Sequence, residues 1–198
     1  EFQVETSLKE GDIVGLDAGV IYKGYHSDAA RTHGIGEISK EAKDLIQVTR
    51  ECFFEGIKFA KEGNHLFEIS SAIGRYAEER GYGEFVICGT GIGTKLHEAP
   101  EIPNYEMNRK GMKLRKGMTL AIEPMINIGG CAVNWLDDDW TVVTRDGSLS
   151  AHYENTVLIT EENNTFDLIE VKEDAVWKKY EVGMLARSKA GHDKGMCM

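Results

Sequence analysis

The sequence lacks several features that would place the chain in other protein classes. No apolar run approaches the roughly 20 residues that span a bilayer, so no membrane helix is expected. Residues 1–9 lack the basic start and apolar run of a secretory signal, which gives no support to export. The four cysteines form no CxxC pair, which argues against a zinc ribbon or a disulfide scaffold and favours the reducing cytoplasm. A net charge of −10 opposes direct nucleic-acid binding.

The composition is that of an ordinary globular protein. Apolar residues make up 41% and charged residues 28% of the 198 residues, enough for one domain with a substantial core. Hydrophobic patterning runs to about residue 165, and a more polar stretch follows. We therefore expect one α/β domain over residues 1–165 and an appended tail over 166–198.

Strand and helix patterns alternate in the first half of the domain. Residues 12–36 predict two strands joined by a turn at Lys23-Gly24. Apolar residues at helical spacing predict a helix over 40–62, with Ser39 as its N-cap, and a second helix over 66–80.

The second half predicts further strands. Residues 118–128 form one apolar strand-like segment. Residues 140–144 and 148–159 predict a hairpin, because Asp146-Gly147 between them is a strong turn signal.

Two aspartates in the first hairpin suggest metal chemistry. If Lys23-Gly24 is the turn, Asp28 is the same-face diagonal neighbour of Asp17, with backbones ~7–8 Å apart. Such like charges repel unless protons or cations neutralise them. Paired divalent metals do so in many hydrolases.

Two glutamates extend this pattern. Glu123 and Glu154 lie in apolar strand segments, where an unpaired carboxylate would be costly to bury. Spacing alone leaves a metal site and ordinary surface carboxylates as open alternatives. His97, after a glycine-rich loop, is a further candidate. Three other histidines offer no functional argument: His65, His152 and His192.

The glycine-rich loop itself does not predict nucleotide binding. Residues 88–93 lack the Rossmann glycine spacing and the Lys-Ser/Thr of a P-loop.

These motifs together resemble type I methionine aminopeptidases over about residues 8 to 160. The resemblance implies an α/β pita-bread fold, an antiparallel sheet with flanking helices in two pseudo-symmetric halves. Five segments carry it, in this order: Gly11-Asp12-Ile13-Val14 to Asp17, Tyr25-His26-Ser27-Asp28, Cys88-Gly89-Thr90-Gly91-Ile92-Gly93 with Leu96-His97-Glu98, Ile122-Glu123-Pro124-Met125, and Ser148-Leu149-Ser150-Ala151-His152-Tyr153-Glu154.

The resemblance also implies a metal centre of two divalent ions (cobalt, manganese, iron or zinc). Asp17 would bind one ion, and Asp28 and Glu154 would bridge both. Glu123 would bind the other ion and accept a proton from the attacking water.

The implied substrates are the N-termini of nascent polypeptides in the cytoplasm, with the ribosome as a candidate partner. His97 would contact the substrate carbonyl. Leu96 and Trp140 would line the pocket for the methionine side chain.

The chain departs from the family in three ways. Thr90 stands where the family has a histidine ligand, so one metal should bind more weakly. Most of the segment that precedes Gly11 in the family is absent, so the N-terminal part of the fold should be missing and apolar sheet surface should be open. Residues 182–195 are similar to the start of a KOW-like module.

Two alternatives to an active methionine aminopeptidase follow. Thr90 and the missing N-terminal segment favour a non-catalytic protein- or ribosome-binding module on the same fold, whereas the retained carboxylates and His97 favour an aminopeptidase. A prolidase or creatinase-type hydrolase would be expected to carry further histidines around the site.

Overall fold

The computed structural model describes residues 7–84, 88–138, 141–160 and 166–167. Trp140 and the tail beyond residue 167 lie outside these ranges. Within them, the elements in chain order are β1 Ile13–Tyr22, β2 Tyr25–Gly34, α1 Lys40–Ile57, α2 Leu66–Glu78, β3 Gly83–Glu84, β4 Gly89–Gly91, β5 Glu98–Ile102, β6 Thr119–Ile122, β7 Met125–Asn127, β8 Val133–Trp135, β9 Val142–Thr144, β10 Ser150–Leu158 and β11 Phe166–Asp167.

One large antiparallel sheet organises the chain. Its main path runs β1-β2-β10-β6-β4-β5, and β3, β7 and β11 attach to the side of this path. Strand β10 is central, pairing with β2, β6, β7 and β11. Strand β1 lies at an edge. The predicted sheet with flanking helices is confirmed.

The β1–β2 hairpin has the predicted register. Tyr22 pairs with Tyr25, and Asp17 pairs with Ala30. Lys23 and Gly24 form the turn with φ of 52° and 83°, the positive values that a tight type I′ turn requires at both positions.

The two helices begin as predicted, but both end earlier. The Ser39 hydroxyl accepts a hydrogen bond from the Ala42 amide at 3.1 Å and so caps α1. Helix α1 ends at Ile57 rather than residue 62, because the chain tightens into a turn that buries Ala60. The helical spacing of apolar residues therefore extends beyond the helix itself.

The faces of β10 have different roles because side chains alternate along a strand. Ala151, Tyr153 and Val157 join the core formed with the two helices. The ring centroids of Tyr153 and Phe53 of α1 lie 5.2 Å apart. His152 and Glu154 therefore point to the opposite face, away from the helices.

The predicted hairpin between 140–144 and 148–159 is wrong. Strand β9 pairs with β8 in a separate small sheet, whereas β10 belongs to the large one. The Asp146-Gly147 turn does form, with Gly147 at φ 72°. The Asp146 carboxylate accepts hydrogen bonds from the Gly130 and Ser148 amides, at 2.8 and 3.0 Å, so the turn leads the chain from one sheet to the other.

The single strand predicted over 118–128 is instead two strands. Strands β6 and β7 are separated by Glu123-Pro124. Proline has no backbone N–H to donate to a ladder, so regular pairing is interrupted there.

Apolar side chains are exposed at the tip of the first hairpin. Exposed fractions reach 56% to 69% at Val20, Ile21, Tyr22 and Tyr25. Neither described helix is long and apolar enough to cross a membrane.

Candidate metal centre

The first group of potential metal ligands, here called the inner group, consists of Glu123, His152 and Glu154. Glu123 follows β6, and the other two residues lie on one face of β10. His152 Nε2 is 3.5 Å from Glu123 Oε2 and 3.8 Å from Glu154 Oε2. The ligand atoms all lie within 4.8 Å of one another, so a single cation can contact all three side chains.

The second group, here called the outer group, consists of Asp17, Asp28 and Glu154. Its ligand atoms also lie within 4.8 Å of one another. Because Glu154 belongs to both groups, the two potential cation positions are adjacent. The four carboxylates predicted from the sequence are thus brought together by β1, β2, β6 and β10.

Hydrogen bonds between β2 and β10 fix the backbones that carry these ligands. The Asp28 amide donates to Thr156 Oγ1 at 2.8 Å, and the Thr156 hydroxyl donates back to the Asp28 carbonyl at 3.1 Å. Thr32 Oγ1 accepts from the His152 amide at 2.8 Å and donates to the His152 carbonyl at 3.0 Å. These reciprocal pairs restrict both ligand positions.

Arg31 supports the buried Glu154 from the core face. Its guanidinium donates to the Glu154 carbonyl at 2.5 Å and to Asn155 Oδ1 at 2.6 Å. The same group lies over the Tyr153 ring, 3.9 Å from the centroid. Glu154 itself is buried, with only 3% of its surface exposed.

The site strongly favours neutralisation of its carboxylates. Partial shielding from water, followed by the charge of Asp28, raises the pKa of Asp17 to about 6. Burial raises the pKa of Asp28, too. Burial also raises the pKa of Glu123, against the opposing effect of the His152 imidazole.

Glu154 shows the strongest electrostatic conflict. Burial raises its pKa well above the ordinary value, and the charges of Glu123, Asp28 and Asp17 add to the effect. Protons or cations must therefore neutralise this cluster at neutral pH.

Two predicted substrate-contacting residues follow the glycine-rich segment. Burial raises the pKa of Glu123, and His97 opposes this rise slightly, which is consistent with an imidazole in the neighbourhood of that carboxylate. Leu96 and Asp28 are neighbours, because their side chains approach the same point beside Gly19. A Cβ added at Gly19 would lie 3.6 Å from Leu96 Cδ1 and 3.7 Å from Asp28 Oδ1.

Thr90 lies on β4, opposite Ala121 of β6. Its hydroxyl oxygen is buried and has no hydrogen-bond partner among the residues that the structure describes. The glycines on either side permit close strand packing, since a Cβ at Gly89 or Gly91 would lie 2.3 or 2.4 Å from a backbone carbonyl oxygen. The Gly89–Gly91 part of the glycine-rich segment is thus a tightly packed strand.

His152 is the site residue that the sequence argument missed. The available signal was its position two residues before Glu154, because residues i and i+2 share one face of a strand. Once Glu154 was a candidate ligand, the same alternation would have placed His152 beside it.

The residues present fit divalent cations. Four carboxylates suit hard ions, and an imidazole adds preference for borderline transition metals. His152 Nε2 is buried and has no hydrogen bond of normal geometry within the described part of the chain, which leaves this nitrogen available as a donor. Metal binding would also neutralise the carboxylate charges whose burial and mutual repulsion raise these pKa values.

Comparisons with known proteins identify the family of the chain. The sequence matches Metallopeptidase family M24 over residues 3–161. It is 56% identical to a methionine aminopeptidase of Clostridium perfringens over 155 residues, which cover 77% of this chain and 61% of the relative. The chain thus spans about three fifths of that relative's length.

Solved structures give the same result for the fold. The methionine aminopeptidase of Thermotoga maritima matches with a TM-score of 0.75 and 47% identity, covering 78% of this chain and 62% of that one. A prolidase of Pyrococcus horikoshii matches with a TM-score of 0.66 but only 27% identity, covering 84% and 42%. The chain has the pita-bread fold, and it belongs to metallopeptidase family M24.

Proposed function

We propose that the chain is a metal-dependent aminopeptidase that removes the N-terminal methionine from nascent polypeptides. The observation that carries this proposal is the pair of ligand groups that share Glu154 on β10. Identity of 56% to the methionine aminopeptidase of Clostridium perfringens, against 27% to the prolidase of Pyrococcus horikoshii, supports the choice of substrate. The relatives give no support to the non-catalytic alternative.

Each carboxylate has a role in this proposal. Asp17 would hold one divalent ion and Glu123 a second, with Asp28 and Glu154 as the ligands shared by both and with cobalt, manganese, iron and zinc as candidates. When bound, such ions polarise a carbonyl and lower the pKa of water toward neutrality. Glu123 accepts the proton from the attacking water, because its raised pKa brings it nearer to neutral pH than an ordinary glutamate.

The substrate contacts are assigned to neighbouring residues. His97 donates a hydrogen bond to the carbonyl of the scissile peptide, from its position near Glu123. Leu96 lines the methionine side-chain pocket beside Asp28, and we assign Trp140 to the same pocket on the resemblance alone.

The wider setting also remains a proposal. We assign residues 1–165 to the catalytic domain and 166–198 to a tail that begins like a KOW-like module. The cytoplasm is the proposed compartment, with the ribosome as a candidate partner and no direct contact to nucleic acid.

Release of methionine from the tripeptide Met-Ala-Ser tests the activity. The purified chain is assayed with added Mn²⁺ or Co²⁺, and we expect turnover that a chelator abolishes. Glu123→Gln, which preserves the shape of the side chain, should abolish turnover while leaving the circular dichroism spectrum unchanged. A chain that binds metal but releases no methionine would contradict the proposed activity.

A further inference from the structure

The arrangement of the inner group raises the question of which residue supplies nitrogen to the metal centre. His152 is the one histidine that the two ligand groups contain. Thr90 provides only a hydroxyl, a much weaker donor than an imidazole. The site nevertheless contains an imidazole, and it comes from β10 rather than from β4.

We propose that His152 binds the metal ion of the inner group through Nε2, and so supplies the nitrogen ligand that Thr90 does not. This inference rests on the proposed metal site and adds a ligand to it. The resulting donor set is one imidazole with the carboxylates of Glu123 and Glu154. Such a mixed set favours manganese, iron, cobalt or zinc over magnesium or calcium.

The geometry supports direct binding. Nε2 faces a carboxylate oxygen of Glu123 at 3.5 Å and one of Glu154 at 3.8 Å. These distances are long for hydrogen bonds, whereas atoms about 2.0–2.2 Å from a common ion are separated by about 3–4 Å. The spacing is therefore that of ligands around an ion.

The backbone that carries the imidazole is also well fixed. Both backbone polar groups of His152 bond to the Thr32 side chain, and His152 pairs with Met125 across the β10–β7 ladder. Little backbone freedom remains to be lost on binding, which favours a ligand.

The alternative role for His152 is that of a positive counter-charge to Glu123 and Glu154 in the metal-free protein. Such an imidazolium would compete with a metal ion, so its removal would leave metal affinity unchanged or raise it. Direct ligation predicts the opposite.

Pulsed electron paramagnetic resonance of the Mn²⁺-loaded wild-type chain tests the proposal directly. Imidazole nitrogen bound to manganese produces nitrogen modulations, and we expect to observe them. Bound manganese without nitrogen modulations would overturn the His152 assignment and leave the carboxylate site intact. Failure to bind manganese at all would overturn both proposals, so the two failures are distinguishable.

Matched variants then identify the nitrogen. His152→Gln should abolish the modulations and weaken Mn²⁺ binding by more than the ~10–100-fold seen for residues that only orient a ligand. His97→Ala, which removes a neighbouring imidazole, should retain the modulations. Modulations that survive in His152→Gln but vanish in His97→Ala would overturn the assignment.

A double variant tests whether the two positions are interchangeable. Adding Thr90→His to His152→Gln should restore the nitrogen modulations and most of the lost Mn²⁺ affinity, because an imidazole then enters from β4. Circular dichroism of each variant confirms that the fold is retained. If the single His152→Gln variant binds Mn²⁺ as tightly as the wild type, the ligand role is wrong.

Discussion

The two ligand groups share Glu154 and have similar chemistry, but the structure holds them very differently. Glu123 directly follows β6, and His152 and Glu154 lie on β10, in the middle of the sheet over the packed core. Asp17 lies on β1, an edge strand whose tip exposes several apolar side chains. We infer that the inner group is the more rigid and binds its ion more tightly, since stability is not uniform across a fold.

The shared ligand gives the largest expected effect. Glu154→Gln removes a carboxylate that both groups use, so we expect both metal ions to be lost. Isothermal titration with Mn²⁺ measures the number of ions bound. Retention of one tight ion would show that the two groups are more independent than the geometry indicates.

The stability of the two regions is compared by a matched pair of isoleucine substitutions. Ile122 in β6 is fully buried, so Ile122→Ala should lower the free energy of unfolding by about 2–5 kcal/mol. Ile21 at the hairpin tip is 66% exposed, so Ile21→Ala should change it by less than about 0.5 kcal/mol. Urea unfolding with a chelator present measures both without a contribution from metal. Equal losses of unfolding free energy in the two variants would contradict the proposed difference in rigidity between the two regions.

Loss of an outer ligand alone should have a smaller effect on metal binding. Asp17→Asn leaves the inner group unchanged, so we expect one ion to remain at close to wild-type affinity while the second is weakened. The same titration resolves the two steps. Loss of both ions in this variant would contradict the assignment of Asp17 to one group.

The smallest expected effect is a pH dependence of the metal-free protein. The pKa of Asp17 is raised from 3.8 to about 6, so the folded state holds this proton more strongly than the unfolded state does. This contribution to stability is fully present below about pH 3.8 and is lost as the pH rises through about 6. The raised pKa values of Asp28, Glu123 and Glu154 act in the same direction.

Thermal unfolding in a chelator should therefore show that Tm falls more between pH 5 and pH 7 in the wild type than in Asp17→Asn. Added Mn²⁺ should remove most of the difference, because the ion replaces the proton. An identical fall in both proteins would show that the Asp17 carboxyl does not carry the effect.

Local rules predicted part of the site from the sequence. The Lys23-Gly24 turn sets the register of β1 and β2, and this register places Asp17 diagonal to Asp28. Ser39 caps α1 as expected, because N-capping depends on residues only three positions apart.

The remaining predictions failed where the outcome depends on which strands, distant in the sequence, pair with one another. Asp146-Gly147 correctly indicated a turn, but a turn signal does not determine which strands pair across it, and β9 pairs with β8. His152 was missed for a related reason: its value as a ligand depends on Glu123, which approaches from a different strand. The sequence identified the carboxylates individually, whereas the imidazole could be recognised only in the assembled sheet.

The most direct test of the metal centre is an anomalous-scattering map of crystals grown with Mn²⁺. We predict two peaks that share Glu154, one between Asp17 and Asp28 and the other in contact with Glu123 and His152 Nε2. The absence of any peak among the four carboxylates would contradict the metal centre on which the proposed function rests.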